Sequence, residues 1–195
     1  MVRMRRDVSI LHNADLCENE VALAESVADF MANGHFLAEP MVLITTPERR
    51  ESISASLARM GVSWPELEEK GHATFRNGLD LLDRFMVDGM PDEAAFADTL
   101  EEVLQHPRRG PTRRIRCFGD MVDVLCAREQ PAAALRLEQL WNSLARFHRF
   151  SLLCGYIKNN LYRELNGGHA AHICEQHASV RNVDARHHPG PHGHA

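Results

Sequence analysis

An α/β fold with a mostly parallel sheet flanked by helices is the architecture that this 195-residue sequence predicts. Two runs, residues 40–45 and 150–156, are almost continuously apolar, as strands buried on both faces of a parallel sheet should be. Between them lie stretches with helical hydrophobic spacing, of which residues 132–147 form the longest. Strands that alternate with helices in this way favour a parallel sheet covered on both faces.

Local start and stop signals predict the other elements. Residues 8–11 are expected to form the first strand, which ends in a turn at His12. Thr46 is expected to cap one helix and Ser63 to open a capping box at the next, because hydroxyl side chains can accept hydrogen bonds from the free N–H groups of a first turn. Further strands and helices are predicted at residues 18–32, 72–76, 79–87, 93–104, 115–118, 121–127, 159–165 and 170–178.

The composition indicates a single domain. Hydrophobic residues make up 44% of the chain and charged residues 25%, which is the balance of a soluble globular protein. The sequence shows no internal repeat and no internal linker. We therefore expect one domain over residues 8–180, followed by a disordered, histidine-rich tail over residues 181–195.

Charge and hydropathy narrow the classes of partner. A formal net charge of −5 argues against direct binding of nucleic acid, which usually requires a basic face. No apolar run approaches the roughly 20 residues that a membrane span needs, and the apolar stretch near the N-terminus is too short for a secretory signal. We expect a cytoplasmic protein without membrane association. The five cysteines are scattered, which argues against a disulfide framework.

The predicted turn after the first strand disfavours a nucleotide site. A phosphate-binding loop needs glycines, whose backbone N–H groups cradle the phosphate, and a lysine that neutralises it. Residues 12–18 contain neither, and they carry two carboxylates, Asp15 and Glu18, which would repel a nucleotide. A G-x-G-x-x-G pattern is also absent. We expect neither ATP binding nor ATP hydrolysis.

No catalytic centre stands out in the sequence. Cys17 lies near His12, and Cys154 follows the helix that bears His148, so either pair could be considered for thiol catalysis. Nothing in the local sequence marks either cysteine as an activated thiolate. The sequence therefore predicts a protein that is not an enzyme.

The default ligand site lies at the carboxyl ends of the strands, because ligands of open parallel sheets bind there. Two of the side chains predicted there have alternative roles. Asp120 could equally cap the helix that follows it, and Trp141 could belong to the apolar core. The residues that we predict to line the site are His12, Thr45, Asp120, Glu138, Trp141 and Tyr156.

A zinc site near the C-terminus is an alternative. His169 and His172, and likewise Cys174 and His177, are spaced three residues apart, so each pair would share one face of a helix. Cysteine and histidine are ligands that suit Zn²⁺. In the competing interpretation, Cys174 faces the core and the histidines are solvated at a helix end.

Five segments in order resemble the MEDS domain (methanogen/methylotroph DcmR sensory domain). They are residues 44–49 (ITTPER), 85–92 (FMVDGMPD), 116–122 (RCFGDMV), 135–142 (LRLEQLWN) and 150–156 (FSLLCGY). A sixth segment, residues 173–177 (ICEQH), resembles the usual end of that domain. The resemblance covers about residues 8–180.

The resemblance implies a RecA/KaiC-like core with a degenerate phosphate-binding loop. Domains of this family occur beside helix-turn-helix modules and in histidine kinases, and they are regarded as sensors, with small hydrocarbon-like compounds as suggested ligands. We therefore expect a sensory domain that binds a small molecule at the strand ends. It would pass its state to a protein partner, or act by forming a homodimer, in regulation of transcription or two-component-type signalling. The alternatives are a zinc-dependent regulator and a residual nucleotide-binding protein.

Overall fold

A parallel six-stranded sheet organises the computed structural model, which describes residues 11–105, 114–163 and 168–185. The strands are β1 (Leu11–Cys17), β2 (Met41–Thr45), β3 (Ala73–Asn77), β4 (Met86–Val87), β5 (Met90–Pro91), β6 (Ile115–Gly119), β7 (Phe150–Ile157) and β8 (Ser179–Val183). Strands β4 and β5 form a separate hairpin, and the others lie in the order β3-β2-β6-β7-β1-β8 with every pairing parallel. The predicted α/β fold is confirmed.

Helices cover both faces of this sheet. They are α1 (Glu20–Phe36), α2 (Pro47–Arg59), α3 (Trp64–Glu69), α4 (Gly78–Phe85), α5 (Glu93–Leu104), α6 (Met121–Ala127), α7 (Pro131–Leu144), α8 (Lys158–Leu161) and α9 (His169–Glu175). Thr46 and Ser63 cap α2 and α3 through their hydroxyl groups, as predicted. None of the described helices is both long and apolar enough to cross a bilayer.

Two apolar cores lie on opposite faces of the sheet. Because successive strand residues point to opposite faces, Leu152 of β7 joins the core under α4–α7 and α9, whereas Leu153 joins the core under α1–α3. All eight residues of β7 are buried, as expected of a central strand. Any polar side chain on this strand therefore lies inside the protein.

The first strand differs from the prediction. β1 begins at Leu11 and continues to Cys17, so the predicted turn at His12 was wrong; residues 8–10 lie outside the described part. His12 and Asp15 are inside the strand, where both are buried. The true turn after β1 is at Glu18 and Asn19, and it too contains neither glycine nor lysine.

The C-terminal elements also differ. α9 ends at Glu175 rather than continuing to residue 178, and the chain then forms β8, which pairs with β1. Arg181 is thus a strand residue, and the expectation of a disordered tail from residue 181 was wrong for residues 181–183. Residues 186–195 lie outside the described residues.

Candidate functional site

Five polar side chains meet inside the core on one face of the sheet. His12 comes from β1, Cys154 and Tyr156 from β7, Glu138 from α7, and His177 from the chain between α9 and β8. His12 lies opposite Leu152 in the register of β1 and β7, so His12 and Cys154 point to the same face. Each of the five side chains is at most 1% exposed. We call this group the buried polar cluster.

Glu138 is the centre of the cluster. Its Oε2 lies 3.1 Å from His12 Nε2, and its Oε1 lies 3.4 Å from His177 Nε2. The hydroxyl of Tyr156 donates a hydrogen bond to Oε1. Cys154 Sγ lies 3.2 Å from His12 Nε2 and 3.9 Å from Glu138 Oε2. One ligand-type atom from each of His12, Glu138, Cys154 and His177 thus lies within 4.8 Å of the other three.

The Nδ1 atom of each of the two histidines lies within hydrogen-bond distance of an oxygen acceptor. His12 Nδ1 is 3.0 Å from Asn142 Oδ1, and the orientation of that amide is fixed because its Nδ2 donates to the Gln176 carbonyl at 2.9 Å. His177 Nδ1 is 2.9 Å from the Ile173 carbonyl. In the neutral ring, donation from Nδ1 leaves the Nε2 lone pair directed into the cluster, whereas in the protonated ring Nε2–H faces Glu138.

Electrostatics make Glu138 the charged group of the cluster. Burial opposes its ionisation, but His177 and His12 outweigh that effect and lower its pKa below the ordinary range. Burial and Glu138 raise the pKa of the Cys154 thiol well above its usual value, so this side chain is a neutral thiol. The cluster therefore contains one buried carboxylate beside nitrogen and sulfur atoms.

A second set of polar side chains lies at the carboxyl ends of β2 and β6. Arg49 donates to Asp120 Oδ2 at 2.9 Å, to Asp123 Oδ2 at 2.7 Å and to Glu20 Oε1 at 2.7 Å. Thr45 Oγ1 also donates to Asp120 Oδ2, at 2.5 Å. We call these five residues the Arg49 network. Asp120 occupies the N-cap position of α6 but makes no side-chain cap hydrogen bond.

Asp120 is the most perturbed acid of the Arg49 network. Burial raises its pKa to about 6, against the opposing effects of Arg49 and Thr45. Its other oxygen, Oδ1, has no hydrogen-bond partner among the described residues. The edge of the sheet where we predicted a ligand is therefore occupied by the protein's own charges.

The structure divides the six predicted ligand residues into three places. His12, Glu138 and Tyr156 belong to the buried polar cluster. Thr45 and Asp120 belong to the Arg49 network at the strand ends. Trp141 belongs to neither, because its ring packs edge-on against Phe96 and Phe150 in the apolar core.

The four residues of the predicted zinc site are not brought together. α9 ends before His177, so Cys174 and His177 do not share a helix face. His172 is exposed beside Glu175, and Cys174 packs partly buried against the core. Among the described histidines, cysteines and acids, the group close enough to hold a metal ion consists of His12, Glu138, Cys154 and His177.

Sequence reasoning missed Arg49 and misplaced Cys154 and His177. Cys154 was considered for thiol catalysis with His148, and His177 was assigned to the predicted zinc site. One signal could have linked Cys154 to the site: it alternates with Tyr156 along β7, so the two side chains must face the same side.

The family assignment follows from a match over most of the chain. The sequence model described as "MEthanogen/methylotroph, DcmR Sensory domain" (MEDS) matches residues 12–177. This chain belongs to the MEDS family. The match begins at one histidine of the buried polar cluster and ends at the other. Membership supports a sensory or signalling role for this MEDS domain.

Solved structures agree on the fold. The chain is similar to a KaiC-like protein from the hyperthermophilic archaeon Pyrococcus horikoshii, with 15% sequence identity and a TM-score of 0.57 over 91% of this chain and 74% of that one. A likeness at this identity concerns the fold alone, and it confirms the RecA/KaiC-like core. No curated protein is detectably similar to this MEDS domain in sequence.

Proposed function

We propose that this MEDS domain is a non-catalytic sensory module that receives a small effector at the buried polar cluster. The observation that supports this most strongly is the convergence of His12, Glu138, Cys154 and His177 from four separate parts of the chain. Buried charged and polar groups are costly unless partners satisfy them, and perturbed groups of this kind concentrate at functional sites. A purely structural core gains nothing from this arrangement that apolar side chains would not supply.

The strand ends are the weaker place for the effector. Arg49 already contacts Asp120, Asp123 and Glu20, and Thr45 donates to Asp120. A ligand at this edge would have to break several charge-assisted hydrogen bonds, which are among the strongest in proteins. A ligand at the buried polar cluster would leave the ion pairs of the Arg49 network intact.

The chemistry of the cluster favours binding over catalysis. The Cys154 thiol is buried and its raised pKa keeps it protonated, whereas a nucleophilic cysteine needs a thiolate and access to its substrate. ATP is disfavoured at the other end of β1, because Glu18 and Glu20 flank the N-terminus of α1 where a phosphate would bind.

The chain between α9 and β8 offers a route from the cluster to a partner. Ala178 N–H donates to the His12 carbonyl at 2.7 Å, and Asn142 holds the Gln176 carbonyl at 2.9 Å. A change at His177 would therefore shift the start of β8. Among the described strands β8 pairs only with β1, so its outer edge is available for strand pairing with a protein partner or a second copy. Such a contact would serve transcription regulation or two-component-type signalling.

A ligand screen with two matched variants tests this proposal. Thermal-shift measurements would use one- to three-carbon alcohols, amines and halides, together with divalent metal ions. We expect a stabilising compound whose effect disappears in His12→Asn and persists in Asp120→Asn. The reverse pattern would place the effector at the strand ends, and the absence of any stabilising compound would contradict the proposal.

A further inference from the structure

We propose that the buried polar cluster is a four-coordinate site for a divalent transition-metal ion of the zinc type. Its ligands are Nε2 of His12, Nε2 of His177, one oxygen of Glu138 and Sγ of Cys154. The inference rests on the proposed function, because it names the chemical class of the effector at the same site.

The spacing of the ligand atoms matches a tetrahedral centre. Zinc forms bonds of about 2.0–2.1 Å to nitrogen and oxygen and about 2.3 Å to sulfur, which places neighbouring ligand atoms about 3.3–3.6 Å apart. In the cluster, His12 Nε2 lies 3.1 Å from Glu138 Oε2 and 3.2 Å from Cys154 Sγ. His177 Nε2 lies 3.4 Å from Glu138 Oε1, and Cys154 Sγ lies 3.9 Å from Glu138 Oε2. Small side-chain adjustments would bring one oxygen of Glu138 into contact with the same ion as the other three ligand atoms.

The groups around the cluster orient its ligands as the surroundings of metal sites do. In protein metal centres, a ligating histidine donates its other ring N–H to a carbonyl or carboxylate oxygen, which fixes the tautomer. Here Asn142 Oδ1 and the Ile173 carbonyl are the acceptors. Tyr156 holds the Glu138 carboxylate in the same way through its hydroxyl.

One buried atom has no other evident role. Nε2 of His177 makes no hydrogen bond within the described residues, although its side chain is 0% exposed. An unsatisfied buried ring nitrogen is costly, and the lone pair of a neutral ring is repelled by a carboxylate unless a proton or a metal cation lies between them. A metal ion would supply that cation and bond to the nitrogen.

Charge balance also favours a divalent ion. Binding would displace to solvent the proton of Cys154, and the Nε2 proton of any protonated histidine ligand, as the bonds to the metal form, with no change of oxidation state. The thiolate and the Glu138 carboxylate then carry two negative charges, which a divalent ion cancels. The loaded site is neutral overall, and a neutral group is far less costly to bury than an isolated charge.

Cobalt binding to the metal-free full-length chain tests the inference. Co²⁺ substitutes for Zn²⁺, and a cobalt–thiolate bond gives a near-ultraviolet charge-transfer absorption. The histidine-rich tail contains no cysteine, so it cannot produce this band. Cys154→Ser removes the proposed sulfur ligand, and Cys174→Ser is the matched control, because Cys174 lies outside the cluster. His177→Asn provides a second ligand variant that can still form hydrogen bonds.

We expect one equivalent of Co²⁺ to give the charge-transfer band together with tetrahedral visible absorption, and Zn²⁺ to abolish both. Cys154→Ser should lose the charge-transfer band, His177→Asn should bind at least tenfold more weakly, and Cys174→Ser should match the wild type. A missing band in the wild type, or a band that survives in Cys154→Ser, would overturn the metal site. If instead an organic compound stabilises the wild type and this effect disappears in His12→Asn, the proposed function stands without the metal. Metal binding that leaves α9 and β8 unchanged would retain the site and reject the sensory role.

Discussion

His177 Nε2 lies 3.4 Å from Glu138 Oε1, and neither side chain is exposed to solvent. This contact joins α7 to the chain that leads from α9 into β8. His12 on β1 reaches the same carboxylate from the other side. The last strand of the sheet therefore starts from a point that is tied to the polar interior, and the proposed function predicts that occupancy of the cluster shifts β8.

The Arg49 network should be essential for stability. Arg49→Met would leave Asp120 and Asp123 buried without their cation, and breaking a buried ion pair in this way costs about 3–5 kcal/mol. The matched control is Arg50→Met, because Arg50 pairs with Glu68 in a more exposed position and should cost about 1 kcal/mol. Chemical denaturation at pH 7 measures both. Equal effects of the two substitutions would refute the structural role of the network.

Asp120 should give stability a specific pH dependence. Its folded pKa of about 6 lies above the ordinary value of 3.8, so the folded state retains the proton over this interval better than the unfolded state does. The resulting contribution to the free energy of unfolding is fully present below about pH 4 and is lost as the pH rises through about 6. The free energy of unfolding of the wild type should fall by about 1–3 kcal/mol relative to Asp120→Asn between these limits. Denaturation of both proteins from pH 4 to 7.5 tests this, and a constant difference would contradict it.

Even the small substitution Gly155→Ala should destabilise the domain. A Cβ atom at this position would lie 2.5 Å from Leu23 Cδ1 and 2.8 Å from Phe118 Cε2, so α1 would be pushed from β7. Overpacking of this kind costs about 1–3 kcal/mol. At Gly119, on the neighbouring strand, the nearest atom would be Trp141 Cζ2 at 3.8 Å, an ordinary contact. Gly119→Ala should therefore be tolerated. Thermal unfolding compares the two, and equal stability would be inconsistent with the close packing at β7.

Trp141 should contribute to the stability of the domain and not to effector binding. Trp141→Phe leaves a cavity between Phe96 and Phe150 and should destabilise the domain by about 1–3 kcal/mol. The affinity for Co²⁺ should stay within threefold of the wild-type value, because the indole supplies no ligand atom to the proposed site. Trp64→Phe, which alters the opposite core, is the control for general destabilisation. Loss of cobalt binding in Trp141→Phe alone would show that the indole belongs to the site.

The sequence predicted those elements whose evidence is local. β2 and β7 were predicted because their apolar runs are almost uninterrupted, and the α2 and α3 starts because Thr46 and Ser63 cap their own helices. β1 was predicted to end too early, at His12, because His12 and Asp15 interrupt its apolar pattern. Glu138, which pairs with His12, and Arg181, which pairs with Asp15, each lie more than a hundred residues away in the chain.

The candidate site was predicted only in part for the same reason. His12, Glu138 and Tyr156 were chosen, but they were expected at the strand ends. Their true neighbours depend on the register of β1 against β7 and on where α9 ends. A single sequence contains no local pattern that stops α9 at Glu175 and turns His177 inward. Thr45 and Asp120 of the Arg49 network were predicted, but Arg49 was missed because the network joins α1, β2, α2 and the start of α6, which are distant in sequence.

Hydrogen–deuterium exchange tests the coupling between the cluster and β8 most directly. The full-length chain would be compared with and without one equivalent of Zn²⁺, in the wild type and in Cys154→Ser. We predict that exchange in β8 and at residues 176–178 slows at least tenfold in the wild type only, while β3 at the opposite edge of the sheet is unchanged. Unaltered exchange in β8, or equal protection of β3 and β8, would contradict the account.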